Sequence, residues 1–414
     1  MTSASLPAAR TRRAGLHAIA TSAAVALIGG LPVYLVGATS VVIGADLTFN
    51  ASHLGLAVSG YYAAAALCGL VFGRLVDRLG GRRTLVLASA LGAVNLCALA
   101  AAWSWPAVAL FLVIGGVINS LAQLGSNLRV NDGVSADRLG LALAVKQSAA
   151  PGATLIAGVA VPVVALTLGW RWVFGIAGAA ALATAVTQLR GSGAAGTRSE
   201  ERSPGLGPQR GALLVLAVAC FFGAVSLVCI GSFFVPYATS IGMPTGLAGI
   251  VMAIGSVGAI VVRLVMGWKA DRRPGRSLLD SGGLLIGGGL ALVLLPFVGS
   301  WIAIALVLLV AFAAGTGWPG LLNLAVIRMN PQAPAVATSV TFTGSSLGCV
   351  VGPTGFGFIV SLGSYRAAWL SAAGFLVLSG AMMLVARRSA RRIRDRLSQL
   401  AAATGTDPTA LGTR

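Results

Sequence analysis

The sequence has very few charged residues and fewer still that are acidic. Only 9% of its 414 residues are charged, with 10 Asp and Glu against 29 Lys and Arg, whereas about 25% is usual in soluble domains. All ten carboxylates lie at the ends of apolar stretches, in loops or in tails. We therefore expect neither a buried acid pair for hydrolysis nor a proton relay through Asp or Glu within an apolar stretch.

Other catalytic chemistry is also missing. The only two lysines, Lys146 and Lys269, do not form a Gly-Lys-Ser/Thr phosphate loop. The two histidines, His17 and His53, lie at the ends of apolar stretches, and the five cysteines are odd in number and lie within them. The sequence predicts no metal site, no disulfide framework and no cofactor, and we do not expect an enzyme.

What the sequence does have is long apolar stretches. Hydrophobic residues make up 57% of the chain and the mean hydropathy is +0.90; runs of about 20 apolar residues suffice to cross a bilayer. Twelve spans are predicted, near 16–40, 54–76, 84–103, 106–128, 139–165, 170–188, 212–237, 245–268, 277–298, 301–326, 335–360 and 367–386. The start resembles a signal peptide, but the further spans behind it favour a retained first helix.

The positive charges alternate in position along the chain. Of the 29 basic residues, 25 fall in the two tails and in every second loop. This is the positive-inside pattern, which predicts a multi-pass plasma-membrane protein with both termini in the cytoplasm. The net charge of +19 is therefore explained by topology, and we do not expect a nucleic-acid partner.

The chain divides into two similar parts. An offset of 194 residues pairs Asp77 with Asp271 and Arg78 with Arg272. It also makes two pairs of glycines, Gly55 with Gly249 and Gly73 with Gly267. Residues 191–210 are rich in Gly, Ser, Pro and charge and read as a cytoplasmic linker. We predict six-helix parts at 1–190 and 211–390, and a cytoplasmic tail at 391–414 whose Arg-rich start could lie on anionic lipid.

A charged segment follows span 2 and carries the most specific motif. It reads G-x-L-V-D-R-x-G-G-R-R over residues 73–83, and a looser copy covers 267–276. Together with the six-plus-six pattern and the central linker, this resembles the major facilitator superfamily, whose motif is G-x-L-[AS]-D-R-x-G-[RK]-[RK]. Val76 and Gly81 depart from the motif. The resemblance implies an all-α membrane fold of twelve helices in two pseudo-symmetric bundles.

The resemblance also implies that Asp77 contacts span 11 and latches one conformation; a topology determinant alone is the other interpretation. Gly80 and Gly81 permit positive φ in the turn. The predicted latch residues are Gly73, Asp77, Arg78, Gly80, Arg82, Asp271 and Arg272.

Spans 4 and 5 carry the candidate substrate chemistry. Asn119, Gln123 and Asn127 share one face of span 4, as structural contacts or as cavity lining. Lys146 and Gln147 in span 5 are further substrate-binding candidates, and their K-Q-S-x-x-P pattern resembles one found in some bacterial members. Lys146 either binds an anion or coupling ion, or extends to the interface.

Four further features complete the set. Tyr34 and Trp318 are candidate cavity residues, with core positions as the alternative. Arg263 in span 8 is expected to snorkel or to pair with the charged segment. Span 11 carries a stripe that would let it pack closely or act as a gating helix: Gly344, Gly348, Gly352 and Pro353.

These features predict a secondary transporter that works by alternating access on a small solute. The cationic Lys146 favours an organic anion or polar metabolite. Efflux of hydrophobic, drug-like compounds is the alternative, and a non-transporting membrane sensor is a third. The expected partners are the small-molecule substrate and the lipid bilayer; a co-transported ion is left open, and a monomer is expected.

Overall fold

The computed structural model describes residues 8–48, 50–131, 139–190, 210–273, 275–330 and 334–404. No strand occurs among these residues. The helices are α1 (Ala8–Leu47), α2 (Ala51–Leu79), α3 (Gly81–Ala100), α4 (Trp105–Asn131), α5 (Leu139–Gln147), α6 (Ala149–Ala160), α7 (Trp170–Arg190), α8 (Arg210–Ser240), α9 (Thr245–Arg272), α10 (Ser277–Leu294), α11 (Trp301–Gly315), α12 (Pro319–Met329), α13 (Pro334–Ser361) and α14 (Tyr365–Thr404).

The helices reproduce the predicted spans, two of which are broken. Span 5 consists of α5, α6 and a π-helical turn at Val161–Ala165, and span 10 consists of α11 and α12. Eleven stretches of the described residues are long and apolar enough to cross a membrane. The remaining predicted span forms the 29-residue helix α2, in which the side chains of Leu70, Arg74 and Asp77 lie outside the described residues.

The chain reverses sharply between α2 and α3. Gly80 alone separates the two helices and has φ of 76°, a value that costs glycine little because it has no Cβ. Gly81 is already the first residue of α3. The positive φ expected in this turn is therefore confirmed at Gly80, and Gly81 instead lies close to the backbone of Arg129 in α4.

Two sets of helices follow from the order of the spans. We name α1–α7 the first helix set and α8–α14 the second helix set. Within the first set α2 packs on α4 and α3 on α7; within the second, α8 packs on α13 and α10 on α14. The two ends of the bundle are named by composition: the arginine-rich end holds residues 78–83, 272–273 and 275–276, and the tryptophan-rich end holds Trp103, Trp170 and Trp301.

Glycines bring the two helix sets together towards the tryptophan-rich end. A Cβ added to Gly37 of α1 would lie 2.9 Å from the Cα of Ser232 in α8. One added to Gly55 of α2 would lie 2.5 Å from the carbonyl oxygen of Pro353 in α13. Real Cβ atoms cannot approach so closely, so three helix pairs, α1–α8, α2–α13 and α6–α9, are in backbone contact there.

The sequence repeat is visible in this packing. Gly249 of α9, the partner of Gly55 at the 194-residue offset, meets Gly158 of α6 across the interface between the helix sets. A Cβ on either residue would lie 2.5 Å from the carbonyl oxygen of the other. Glycines at equivalent positions of the repeat thus perform the same task, which is to allow one helix set to touch the other.

Candidate functional site

The break in span 5 is the structural centre of the candidate site. Helix α5 ends at Gln147, Ser148 forms a turn, and α6 begins at Ala149. Pro151 has no N–H, so it cannot bond to the carbonyl of Gln147 four residues earlier as a helix requires. The hydroxyl of Ser148 donates to the carbonyl of Ala144 at 2.8 Å. The carbonyl of Gln147 is left to accept from elsewhere.

Lys146 lies beside this break and is buried. Its side chain is only 6% exposed, and its Nζ donates to Oδ1 of Asn127 in α4 at 2.6 Å. Among the described residues, no carboxylate forms an ion pair with it. A buried cation without an anionic partner is costly. Because the side chain is buried, the interpretation that Lys146 extends to the interface is disfavoured.

The polar stripe of α4 is partly used in contacts within the first helix set. Nε2 of Gln123 donates to Oδ1 of Asn119 at 3.4 Å, a long bond. Oδ1 of Asn119 would lie 2.8 Å from a Cβ on Gly29 of α1. The third amide, Asn127, accepts from Lys146. The stripe therefore joins α1, α4 and α5, which is one of the two roles the sequence left open for it.

Arg263 is the second buried cation and lies on α9, facing the same break. It is 4% exposed. Its Nη1 donates to the carbonyl of Gln147, and its Nε and Nη2 donate to the carbonyl of Thr316 at 2.9 and 2.6 Å. The expectation that Arg263 snorkels or pairs with the charged segment is wrong. It lies nine residues before the end of α9, and its guanidinium bonds to carbonyls of α5 and of the α11–α12 gap instead of extending along α9 to the charged segment.

The second acceptor of Arg263 comes from another break. Thr316 lies in the gap between α11 and α12, and α12 begins at Pro319. Because Pro319 has no N–H, it cannot close a tight turn onto the carbonyl of Thr316. Arg263 therefore binds two carbonyls at helix breaks, one in each helix set: that of Gln147, which Pro151 leaves without a helical donor, and that of Thr316, which follows the end of α11.

A small cavity lies against this arrangement. Its volume of about 10 Å³ is close to the minimum for one water molecule. Its lining is Ala144, Gln147, Arg263, Gly267, Gly317, Gly320, Leu321 and Leu324. The guanidinium is thus the charged group of a nearly filled space between α5, α9 and the α11–α12 break.

Tyr34 and Trp318 are buried at other contacts. Tyr34 is 5% exposed and lies against Gly231 of α8, where a Cβ would be 2.9 Å from its ring. Trp318, at the α11–α12 break, lies against Gly223 of α8 in the same way, at 3.0 Å. Its indole Nε1 has no hydrogen-bond partner among the described residues. Both aromatic rings therefore meet α8, and Trp318 also lies two residues after Thr316, the acceptor of Arg263.

The second charged segment forms a contact between the helix sets at the arginine-rich end. Oδ2 of Asp271, at the end of α9, accepts from the backbone N–H of Leu141 at 3.1 Å, in the first turn of α5. Oδ1 of Asp271 lies 3.7 Å from Nη2 of Arg328. A carboxylate is favoured there because the first N–H groups of a helix carry partial positive charge. Arg272 stacks on Trp268 of its own helix, with Cζ 3.8 Å from the ring centre.

The first charged segment behaves differently. Arg82 donates to the carbonyls of Gln188 and Leu189 at the end of α7, so it satisfies helix-end acceptors within its own helix set. Arg78 is exposed, and Gly73 has no atom within 4 Å of where a Cβ would lie. The predicted latch residue Asp77 has a side chain outside the described residues.

The glycine stripe of span 11 lies on α13 and packs against α8. A Cβ on Gly344 would lie 2.0 Å from the carbonyl oxygen of Ala217, and one on Gly348 would lie 2.2 Å from that of Phe221. Gly352 faces Val225 at 2.9 Å. Pro353 instead faces α2 through its carbonyl. The stripe thus holds two helices of the second helix set together.

The importance of Arg263 was missed from the sequence, although a signal existed. Proline within an apolar span releases a carbonyl, and Pro151 and Pro319 are both visible in the sequence. A buried arginine needs several acceptors. Matching the carbonyl of Gln147, which Pro151 releases, to the one arginine deep in a span would have indicated the first of the two contacts.

Comparison with known families gives one match in sequence. The model of the Major Facilitator Superfamily matches residues 22–353, well over half of the chain. No curated protein gives a significant match over the sequence.

Solved structures resemble the chain in fold. A bacterial homolog of the human lysosomal transporter Spinster matches in its inward-facing, occupied conformation with a TM-score of 0.65 and 16% identity, over 90% of this chain and 96% of that one. Its unoccupied form gives 0.66 and 15%, over 92% and 98%. A D-xylose–proton symporter gives 0.69 and 15%, over 88% and 96%. At such low identity these likenesses establish the fold alone.

Proposed function

The chain belongs to the major facilitator superfamily of transporters, and on this premise we propose that it moves a small organic anion or polar metabolite across a membrane by alternating access. Such transporters work by rocking one bundle against the other around a central site. We assign the moving bodies to residues 1–190 and 211–390, joined by the linker 191–210. We further propose that the chain resides in the plasma membrane, with both termini and the tail 391–414 in the cytoplasm.

The observation that carries this proposal is the pair of buried cations. Lys146 and Arg263 both lie in spans, are at most 6% exposed, and have only neutral acceptors among the described residues. A positive charge in a medium of low dielectric constant attracts an anion far more strongly than it would in water. A carboxylate substrate is the partner that would neutralise them.

The contacts between the helix sets support alternating access. The α5–α6 span meets α9 towards both ends of the bundle, through Gly158 and Gly249 at one and through Leu141 and Asp271 at the other. Transport requires these two contacts to open in turn. The contact at the tryptophan-rich end depends on backbone packing, whereas that at the arginine-rich end depends on a charged hydrogen bond.

The proposal is tested by binding and uptake with matched ligands. Purified protein would be screened by thermal shift, and in proteoliposomes by uptake, with lactate, malonate and benzoate against their neutral amides and against lipophilic cations. We expect carboxylates alone to stabilise the protein and to enter the vesicles. Lys146→Gln should weaken both effects, while Lys269→Gln, which changes the only other lysine, at the end of α9, should not.

Other outcomes would select the alternatives. Stabilisation by lipophilic compounds only, unaffected by Lys146→Gln, would favour efflux of hydrophobic molecules. Binding without uptake of any compound would favour a sensor that does not transport.

A further inference from the structure

We propose that Arg263 is the residue that binds the carboxylate of the substrate. The carboxylate takes the place of the carbonyl of Gln147 as a hydrogen-bond acceptor of Arg263. This inference rests on the proposed function, because it assumes an anionic substrate. It goes beyond that function in naming the binding residue and the contact between the helix sets that binding breaks.

The first argument is that the acceptors of Arg263 are carbonyls left free by the chain itself. Gln147 loses its helical donor because Pro151 has no N–H, and Thr316 lies where α11 has ended and Pro319 begins α12. Arg263 donates to both. These bonds keep the guanidinium ordered and the carbonyls satisfied while no ligand is bound.

The second argument is that this arrangement satisfies hydrogen bonds but not charge. A guanidinium has five N–H donors, and the bonds to Gln147 and Thr316 use one each on Nε, Nη1 and Nη2. Among the described residues no carboxylate is paired with Arg263. A carboxylate can accept two parallel bonds from the planar guanidinium and also neutralises it. It is therefore a better partner than either carbonyl.

The third argument concerns space. The cavity beside Arg263 has a volume of about 10 Å³, enough for one water molecule and no more. A carboxylate cannot bind while the carbonyl of Gln147 stays in place. Binding must therefore move α5 away from α9, whereas Thr316 belongs to the same helix set as Arg263 and can stay bonded.

This displacement would couple loading to opening. Gln147 is on the first helix set and Arg263 on the second, so their bond joins the two sets. About two helical turns further along the same helix pair, Asp271 accepts from the N–H of Leu141. Loss of the bond between Arg263 and Gln147 would leave the bond from Leu141 to Asp271 to hold α5 against α9. The energy of substrate binding would thus weaken the closure of the arginine-rich end.

The test uses the full-length protein and the same carboxylates and amides. Arg263→Gln should lower affinity for the carboxylates roughly tenfold or more, as expected for loss of a charged, paired hydrogen bond, and Arg263→Lys should recover part of it. Arg366→Gln is the matched control, because Arg366 stacks on Phe297 at the other end of the bundle.

A second variant tests the displacement without altering the arginine. Pro151→Ala restores an N–H that can bond to the carbonyl of Gln147, so this carbonyl no longer competes with the carboxylate for Arg263. We expect Pro151→Ala to bind carboxylates several-fold more tightly than the wild type, while the neutral amides still do not stabilise the protein. This variant also decides the matter if Arg263→Gln does not fold.

The failures are distinguishable. If the wild type binds no carboxylate, the proposed function fails and this inference fails with it. If the wild type binds carboxylates and folded Arg263→Gln binds them equally well, Arg263 is only a structural clamp and the inference is wrong while the proposed function stands. Unchanged or weaker carboxylate binding by Pro151→Ala would show that the carbonyl of Gln147 does not compete, which also overturns the inference.

Discussion

At the scale of single residues, the glycines of α13 differ sharply in their surroundings. Gly344 has the carbonyl oxygen of Ala217 2.0 Å from the position of an added Cβ, whereas Gly355, on the same helix, has nothing within 4 Å. The pair therefore separates the effect of helix packing from the general effect of replacing glycine in a helix.

We expect Gly344→Ala to destabilise the protein and Gly355→Ala not to. Overpacking costs about 1–3 kcal/mol, since α13 must move away from α8, while alanine at an open helical position is favoured by up to about 1 kcal/mol. Thermal unfolding in detergent would measure both variants. Equal unfolding temperatures would mean that the contact between α13 and α8 is not as close as described.

The sequence predicted the type of contact at such residues but not the partner. Glycines four apart indicated a smooth helix face, and the face exists; that it meets α8 is decided by the arrangement of distant helices. The same limit explains the error at Arg263. Depth in the span was readable from position, but the acceptors come from residues 116 and 53 positions away, which no local pattern relates to it.

At the scale of the helix, the end of α9 and the start of α5 form one polar contact. The carboxylate of Asp271 faces the first turn of α5 and lies near Arg328. The 194-residue offset in the sequence predicted that the second charged segment, residues 267–276, repeats the first. The contact with α5 could not be read from the sequence, because a helix start acts as a partner only once the helices are placed.

Asp271→Asn should favour opening of the arginine-rich end. Loss of the charge removes an attraction to the start of α5 of about 0.3–1 kcal/mol. At its upper value this loss changes the ratio of closed to open protein roughly fivefold. The measurement is maleimide labelling of Ala144→Cys, which faces Gly320 in the closed arrangement, in a background without the native cysteines. Asp280→Asn, on α10, is the control; equal labelling in all three proteins would refute the role of Asp271.

Helix boundaries were predicted well where the bilayer sets them. The length of each span follows from the thickness of the hydrocarbon core, so apolar runs locate the helices without any knowledge of packing. The π-helical turn at Val161–Ala165 was not predicted, and neither was the continuation of α14 to Thr404. Arginine and alanine are good helix formers, so the change to a basic composition near residue 387 did not end the helix.

At the scale of the whole molecule, a polar contact accompanies the closed tryptophan-rich end. The hydroxyl of Thr354 in α13 donates to Oγ of Ser59 in α2 at 2.7 Å, and the backbone N–H of Thr354 donates to the same oxygen at 3.1 Å. This contact joins the two helix sets beside Gly55 and Pro353. Alternating access requires it to break once in each cycle.

Joining these two positions covalently should stop transport. In a background without native cysteines, Ser59→Cys together with Thr354→Cys places two thiols within reach of a disulfide. We expect oxidation to abolish uptake of whichever carboxylate the wild type transports, and reductant to restore it. Each single variant should be insensitive to oxidant. Full uptake by the cross-linked protein would exclude opening between α2 and α13.

The last helix has a mechanical consequence. Because α14 runs without interruption from Tyr365 to Thr404, the stretch beyond residue 386 extends about 27 Å past the apolar part at 1.5 Å per residue. It acts as a lever fixed to the second helix set, so each degree of tilt displaces its tip by about half an ångström. A spin label at Thr404→Cys, paired with one at the α2–α3 turn, would report the rocking as a change in distance. A distance that stays constant when a transported carboxylate is added would show that α14 does not tilt relative to the α2–α3 turn.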